Sequence, residues 1–293
     1  MTVIPTVAQV VAPVFMLATL GFLWVRLGYE YRIRFVTQLA MTLAVPCLLF
    51  TSLMQTKIEP AALTSISLAA IAAYAAITLV LWAFCWALSL DRRTYLAPLI
   101  FGNTGNLGLP LALFAFGEEG LALAIVVFAI MVIYSFTFGI WLVSGQNNFR
   151  TLVREPMVGA TLLGALFMWQ GWQTPLFLTN TLELIGQMAI PLMLITLGVS
   201  VARLQPLGLP RAFWLSLAKA AICTGIAWSV GAWFNLGPVA FAVLVLQCAT
   251  PVAVTAYMIA EKYEADAQTV GALVVVSTLL SIGVLSLILG LVM

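Results

Sequence analysis

The sequence predicts an all-α polytopic membrane protein: ten transmembrane helices arranged as two inverted five-helix repeats. Three observations carry this. The composition is too apolar for a soluble domain, with 63% of 293 residues hydrophobic and 8% charged, against roughly 25% charged in soluble domains. Ten apolar segments alternate with short joints that hold nearly all the charge. Two proline-bearing motifs recur in the second half of the chain at nearly the same spacing.

The first segment, residues 6–26, begins within the N-terminal MTVIPTVAQVV, which has no cationic stretch before its apolar run and reads as the start of a helix rather than a cleaved signal. The second, 35–55, carries LAVPCLLFTSL at Leu43–Leu53. The third, 63–89, has no acidic residue, and the fourth, 95–116, contains the anomalous run FGNTGNLGLPLALFAFG from Phe101 to Gly117. The fifth spans 120–144. In the second half, 156–172 is the shortest segment, and 176–202 carries MAIPLMLITLG at Met188–Gly198. Segment eight, 211–234, holds Lys219; segment nine, 238–260, holds LQCATPVAV from Leu246; segment ten spans 267–292. Most reach the ~20 residues needed to cross about 30 Å of hydrocarbon. Residues 1–148 form the first repeat and 149–293 the second, joined near 145–155 by GQNNFRTLVRE, with no room for a soluble domain.

Alternate joints hold Arg26, Arg32 and Arg34; Arg92 and Arg93; Arg150 and Arg154; Arg203 and Arg211; and Lys262, which is 10 of the 12 basic residues. The opposite joints hold only Lys57. The positive-inside rule makes the rich side cytoplasmic and puts both termini on the extracytoplasmic side of the cell (inner) membrane. Overlaying Pro46 on Pro191 and Pro110 on Pro251 gives offsets of 145 and 141 residues, and superposes Thr51 on Thr196 and Asn106 on Gln247. After each second motif comes a charged joint, GEEG at 117–120 and EKYEAD at 261–266. With five helices in each half, the second half enters the bilayer from the opposite face, the inverted-repeat arrangement common in secondary transporters.

The run at 101–117 locates a candidate site. Gly102, Gly105 and Gly108 weaken a helix, and Pro110 removes a donor and clashes with the preceding turn. Backbone broken inside a bilayer survives only where protein or a water-filled cavity satisfies it. Under inversion the breaks at Pro110 and Pro251 face each other near the midplane. The freed N–H ends suit anions and the freed C=O ends suit a cation or a lysine. Asn103, Asn106, Gln247 and Thr250 add uncharged donors and acceptors suited to a carboxylate that must bind and leave, with Thr104 and Thr255 as weaker candidates. Each could instead only satisfy the broken backbone. Lys219, about eight residues into segment eight, is a candidate charge or coupling group: it either offsets negative half-helix ends, serves as the substrate's counter-charge, or snorkels to the surface. Glu183, nearer the outer surface, is a candidate proton carrier or a solvated interfacial acid, and Glu118 and Glu119 are expected to be solvated.

Other classes find little support. No basic block suggests nucleic acid. Histidine is absent, and Cys47, Cys85, Cys223 and Cys248 have neither metal-ligand nor disulfide spacing, so no metal and no cofactor is expected. Paired intramembrane carboxylates are also lacking, which leaves an intramembrane enzyme without acid–base chemistry.

GNTGNLGLPLALFAFG at 102–117, ATPVAVTAYMIAEKY at 249–263 and LAVPCLLFTSL at 43–53 resemble the auxin efflux carrier family, bacterial branch, within the bile acid, auxin and sodium–proton antiporter-like crossed-helix superfamily. The resemblance spans essentially the whole chain. It implies that helices 4 and 9 are broken and cross, that helices 1, 2, 6 and 7 form a scaffold, and that helices 3–5 and 8–10 form a transport domain moving as an elevator. It also implies a homodimer through the scaffold. The implied substrates are small organic anions, auxin-like or dicarboxylates such as malonate or malate, with a proton or sodium as coupling ion. Plant members carry a long central loop and an acidic residue in helix three; this chain has neither, which shifts attention to Lys219. Gln247 also stands where a closer internal repeat would have Asn, so the two half-sites are not identical. Two alternatives remain open: a sodium-coupled organic anion symporter of the bile acid type, which would need a buried carboxylate in an oxygen cage, and a ligand-binding membrane sensor or channel.

Overall fold

The computed structural model describes residues 3–55, 60–144, 156–203 and 208–293. Lys57, Arg150, Arg154 and the joint at 145–155 lie outside the described residues. The described chain is helical throughout; its only β-type pairing is an isolated antiparallel bridge between Gly102 and Val252.

The helices are α1 (Val3–Arg26), α2 (Ile33–Leu39), α3 (Val45–Gln55), α4 (Pro60–Ala87), α5 (Arg92–Ile100), α6 (Leu109–Tyr134), α7 (Ile140–Ser144), α8 (Pro156–Gln170), α9 (Leu176–Gly186), α10 (Ala189–Arg203), α11 (Leu209–Trp233), α12 (Pro238–Ala249), α13 (Val254–Lys262) and α14 (Ala267–Val292). Three π-helical turns, Ala40–Ala44, Thr104–Gly108 and Ser135–Gly139, join α2 to α3, lead into α6 and join α6 to α7. Among the described residues, seven helical stretches are long and apolar enough to cross a membrane, and Pro156–Gln170 and Pro238–Ala249 are shorter apolar helices.

Several segments expected to be unbroken are interrupted, and the prolines explain two of the interruptions. The ring of Pro46 removes a donor and crowds the preceding turn, and the π turn Ala40–Ala44 ends just before it. The stretch at 176–202 is likewise divided at Gln187–Met188, ahead of Pro191. Gly117 lies inside α6 at φ 65°, ψ −156°, a left-handed conformation that glycine adopts without strain, and it puts a sharp kink there.

Two groups of helices emerge from the packing. One holds α1, α2, α3, α8, α9 and α10; the other holds α4–α7 and α11–α14. They meet where α6 and α14 lie against α1, α6 against α3, and the turn Thr104–Gly108 against α10. In the first group α1 and α10 approach at backbone distance. A Cβ at Gly198 would collide with the Ala18 carbonyl and lie 2.9 Å from Phe22 N; neither is a flexible side chain that could turn aside. Gly198→Ala is therefore expected to destabilise by about 1–3 kcal/mol, read as a drop of several degrees in the melting temperature of detergent-purified protein. Gly225→Ala, where the added methyl meets nothing within 4 Å, is the matched control and should hold or gain stability.

The basic joints are tied together in the structure. Arg93 donates from Nε to Val143 O at 2.8 Å and from Nη2 to Tyr263 O at 2.5 Å. Arg203 donates to Tyr31 O at 2.6 Å, and the Arg211 guanidinium lies 5.0 Å from the centre of the Tyr95 ring. Asp91 caps α5 and Asp266 caps α14, and the hydrogen bonds from Thr269 hold the Asp266 carboxyl below its ordinary range. At the other end of the helices, Gln55 donates to Glu183, and Glu118 and Glu119 are exposed, as expected.

Candidate functional site

The structure brings the two interrupted helices, α5–α6 and α12–α13, together at their breaks. On one strand of the crossing α5 ends at Ile100, Phe101 is extended, and the chain re-enters a helix at Thr104. On the other, α12 ends at Ala249, Thr250 turns extended at ψ 147°, and α13 starts at Val254. Thr250 precedes a proline, whose Cδ disfavours helical backbone at that position, and Pro251 itself has no N–H to continue α12. Gly102 is required by the contact, since a Cβ there would strike Thr250 Oγ1 and lie 3.1 Å from Thr250 O.

Each break satisfies much of the other's backbone, as hydrocarbon demands. Asn103 N donates to Pro251 O at 2.7 Å beside the Gly102–Val252 bridge. Val252 N donates to Ser277 Oγ at 3.0 Å, and Thr250 Oγ1 donates to Gln247 O at 2.7 Å. Lys219 Nζ donates to Thr250 O at 3.1 Å. Leu107 N and Gly108 N both turn back to Asn103 O, at 3.1 and 3.2 Å.

Asn103, Thr250, Pro251 and Lys219 thus form one cluster. Gln247 packs beside it: a Cβ added at Gly108 would collide with the Gln247 Oε1. Among the described residues no hydrogen bond joins Asn106 to Gln247, although the turn bearing Asn106 packs on α12, the helix of Gln247. Gln247 is fully enclosed, whereas Asn106 is half-buried on the π turn that packs against both α10 and α12, and its side chain makes no hydrogen bond among the described residues. Pro110 sits near the start of α6, beyond the π turn, so the break at Phe101–Asn103 precedes it. A proline in the first turn costs a helix little because that N–H has no partner anyway. Glu183 lies apart, paired with Gln55. Thr255 is exposed on α13.

Some functional-looking groups escaped the sequence reading. Ser277 completes the second break and Ser216 lines the space beside Lys219. The available signal was the spacing of Ser277 and Ser281 on one face of α14, a pattern that is ordinary in an apolar helix.

The polar accounting of the crossing is incomplete. Among the described residues, Asn103 Nδ2, Thr104 Oγ1 and both Nε2 and Oε1 of Gln247 are buried without a hydrogen-bond partner. Each such group costs about 1–3 kcal/mol, and native structures leave only a few of them. The C-terminal ends of α5 and α12 bring partial negative charge to the crossing, and the N-terminal end of α13 brings partial positive charge. A separate cavity of about 930 Å³, with Ser52, Gln55, Ser65, Glu118, Glu119 and Asn235 in its lining, opens between α3 and the start of α12. Its volume is in the range of small-molecule sites.

Comparison with known proteins supplies the family. Residues 6–151 and 140–289 match the membrane transport protein family, in two stretches that meet at 140–151. The chain is 27% identical over 202 residues to the uncharacterized transporter MJ1031 of Methanocaldococcus jannaschii. That alignment covers 64% of each chain, so this chain spans less than two thirds of that relative's length. The matches cover nearly the whole sequence, and the chain belongs to the membrane transport protein family, the family of the auxin efflux carriers.

Proposed function

We propose that this protein is a secondary active transporter of small organic anions, carboxylates of the auxin-like or dicarboxylate kind, working by elevator-type alternating access. The observation that supports it most is the antiparallel meeting of two broken helices lined by uncharged amides: Asn103 and Gln247, with buried groups that have no partner among the described residues, and Asn106 on the adjoining turn. Neutral donors next to a helix N-terminus bind a carboxylate without the fixed charge that would hold it too long.

The chain then crosses the bilayer ten times. Thr104–Ser144 supports this count: its 41 residues would run about 60 Å as one helix at 1.5 Å per residue, twice the hydrocarbon thickness, and the kink at Gly117 divides it. The group α1–α3 with α8–α10 serves as scaffold and dimer interface, and the group α4–α7 with α11–α14 carries the substrate. The joints tied by Arg93, Arg203 and Arg211 face the cytoplasm of the cell (inner) membrane, with both termini outside.

The test is flux in proteoliposomes, preceded by a thermal-shift screen of purified protein against mono- and dicarboxylates, across pH and with sodium or choline. A ligand that binds only the folded state stabilises it by RT ln(1 + [L]/Kd), so a genuine substrate raises the melting temperature with concentration. Accumulation against a substrate gradient is the expected outcome. Flux that only ever runs downhill would make the protein a channel, and binding without flux would make it a sensor.

A further inference from the structure

We propose that a cavity at the start of α11, between α5 and α14, binds the phosphate of an anionic phospholipid headgroup through Arg211. The site lies apart from the crossing. Only its placement in the inner leaflet rests on the orientation given under the proposed function.

The cavity measures about 170 Å³ and is lined by Tyr95, Gly208, Arg211 and Thr269, with alanine and leucine side chains of α11 and α14 making up the rest. The Arg211 guanidinium lies 5.0 Å from the centre of the Tyr95 ring. Among the described residues it makes neither an ion pair nor a hydrogen bond. Arg93 and Arg203 differ, since each spends its donors on backbone carbonyls. A guanidinium with its donors unspent, resting on an aromatic ring, matches phosphate oxygens two at a time.

The surrounding backbone adds charge of the same sign. The 25-residue helix α11 begins here, after Gly208 at φ 74°, with Pro210 in its first turn and no side-chain cap. Its N-terminal end therefore brings partial positive charge to the cavity. The carboxylates at the starts of the two neighbouring helices are engaged elsewhere. Asp91 accepts from the backbone and hydroxyl of Thr94, and Asp266 accepts from those of Thr269. Neither comes within ion-pair reach of Arg211.

The border of the cavity favours a lipid over a free ion. Leu209, Phe213 and Trp214 stand exposed on the first turns of α11, Trp214 at 69%. Tryptophan concentrates at headgroup level, and acyl chains cover such a face where a soluble phosphate would leave it bare. Basic pockets between transmembrane helices on the cytoplasmic side are the kind that hold anionic headgroups. The three helices α5, α11 and α14 pack on one another within one group, so the lipid fastens that group without bridging to the other.

The experiment melts full-length protein in a neutral detergent with phosphatidylglycerol, phosphatidylcholine or inorganic phosphate added at equal concentration. The melting temperature should climb with phosphatidylglycerol and level off, as a saturable site requires, and should not move with the other two. Arg211→Gln should lose most of the rise. Arg211→Lys should keep part of it, because an ammonium supplies charge without the fork, and it carries the comparison if the glutamine variant does not fold. Arg92→Gln removes an arginine stacked on Trp82, outside this cavity, and should keep the whole rise. A full rise in either Arg211 variant overturns the proposal, as does an equal rise with phosphatidylcholine or inorganic phosphate. An equal loss in Arg92→Gln overturns it too, by making the effect one of total charge. No carboxylate is present, so a failure of carboxylate transport leaves this result standing and counts only against the transporter reading.

Discussion

Asn106→Ala is expected to lower carboxylate uptake into proteoliposomes by at least about tenfold while moving the melting temperature very little. The two halves of that statement have different physical sources. Asn106 is half-buried and its amide makes no hydrogen bond within the described protein, so removing it leaves no orphaned partner; such substitutions usually stay within about 0.5 kcal/mol. A hydrogen bond to a charged ligand is worth about 1.5–3 kcal/mol, which is tenfold or more in affinity or rate. Asn106→Asp sharpens the test, because a carboxylate facing an anion at the same place should abolish uptake while keeping the side-chain volume. Unchanged uptake in the alanine variant would remove Asn106 from the site. A large fall in melting temperature would instead assign it to the support of the π turn Thr104–Gly108.

The sequence was most informative where a residue type has few ways of being tolerated in hydrocarbon. Pro251 could only interrupt a helix, and it does; Lys219 is buried rather than snorkelling, and it donates to Thr250 O just past the end of α12. Pro110 misled about position. It marks the right stretch, but a proline is harmless in the first turn, so the break slid back to Phe101–Asn103, where Gly102 allows two backbones to touch. That contact joins positions roughly 150 residues apart, and nothing in local periodicity reports which glycine will meet which residue of the other half. For the same reason the overlay of Asn106 on Gln247 put two equivalent-looking amides in unlike surroundings, one half-buried and one sealed against Gly108. Ser277 was invisible because one hydroxyl in an apolar helix is ordinary; its meaning comes from Val252 N, which has no other partner at the break.

Gly102→Ala is expected to have the largest structural effect of any single methyl added at the crossing. The new Cβ would strike Thr250 Oγ1, and Thr250 has no freedom to yield. Its hydroxyl is committed to Gln247 O and its carbonyl to Lys219, so any movement of Thr250 breaks a second contact. The alternative is for the two breaks to separate, which releases Asn103 N from Pro251 O. Either route leaves buried polar groups unpaired at about 1–3 kcal/mol each. The expected result is a fall in melting temperature larger than that of Gly198→Ala, with loss of uptake in whatever protein remains folded. The cause can be isolated with a second substitution. Thr250→Ser keeps the Oγ and should not relieve the clash, whereas Thr250→Gly removes it and should restore part of the stability lost in Gly102→Ala. The two changes are in contact and should be non-additive by 0.5 kcal/mol or more, as coupled neighbours are. Strict additivity of Gly102→Ala and Thr250→Gly, or a Gly102→Ala variant as stable and active as wild type, would show that the crossing is not held by the close approach of these two residues.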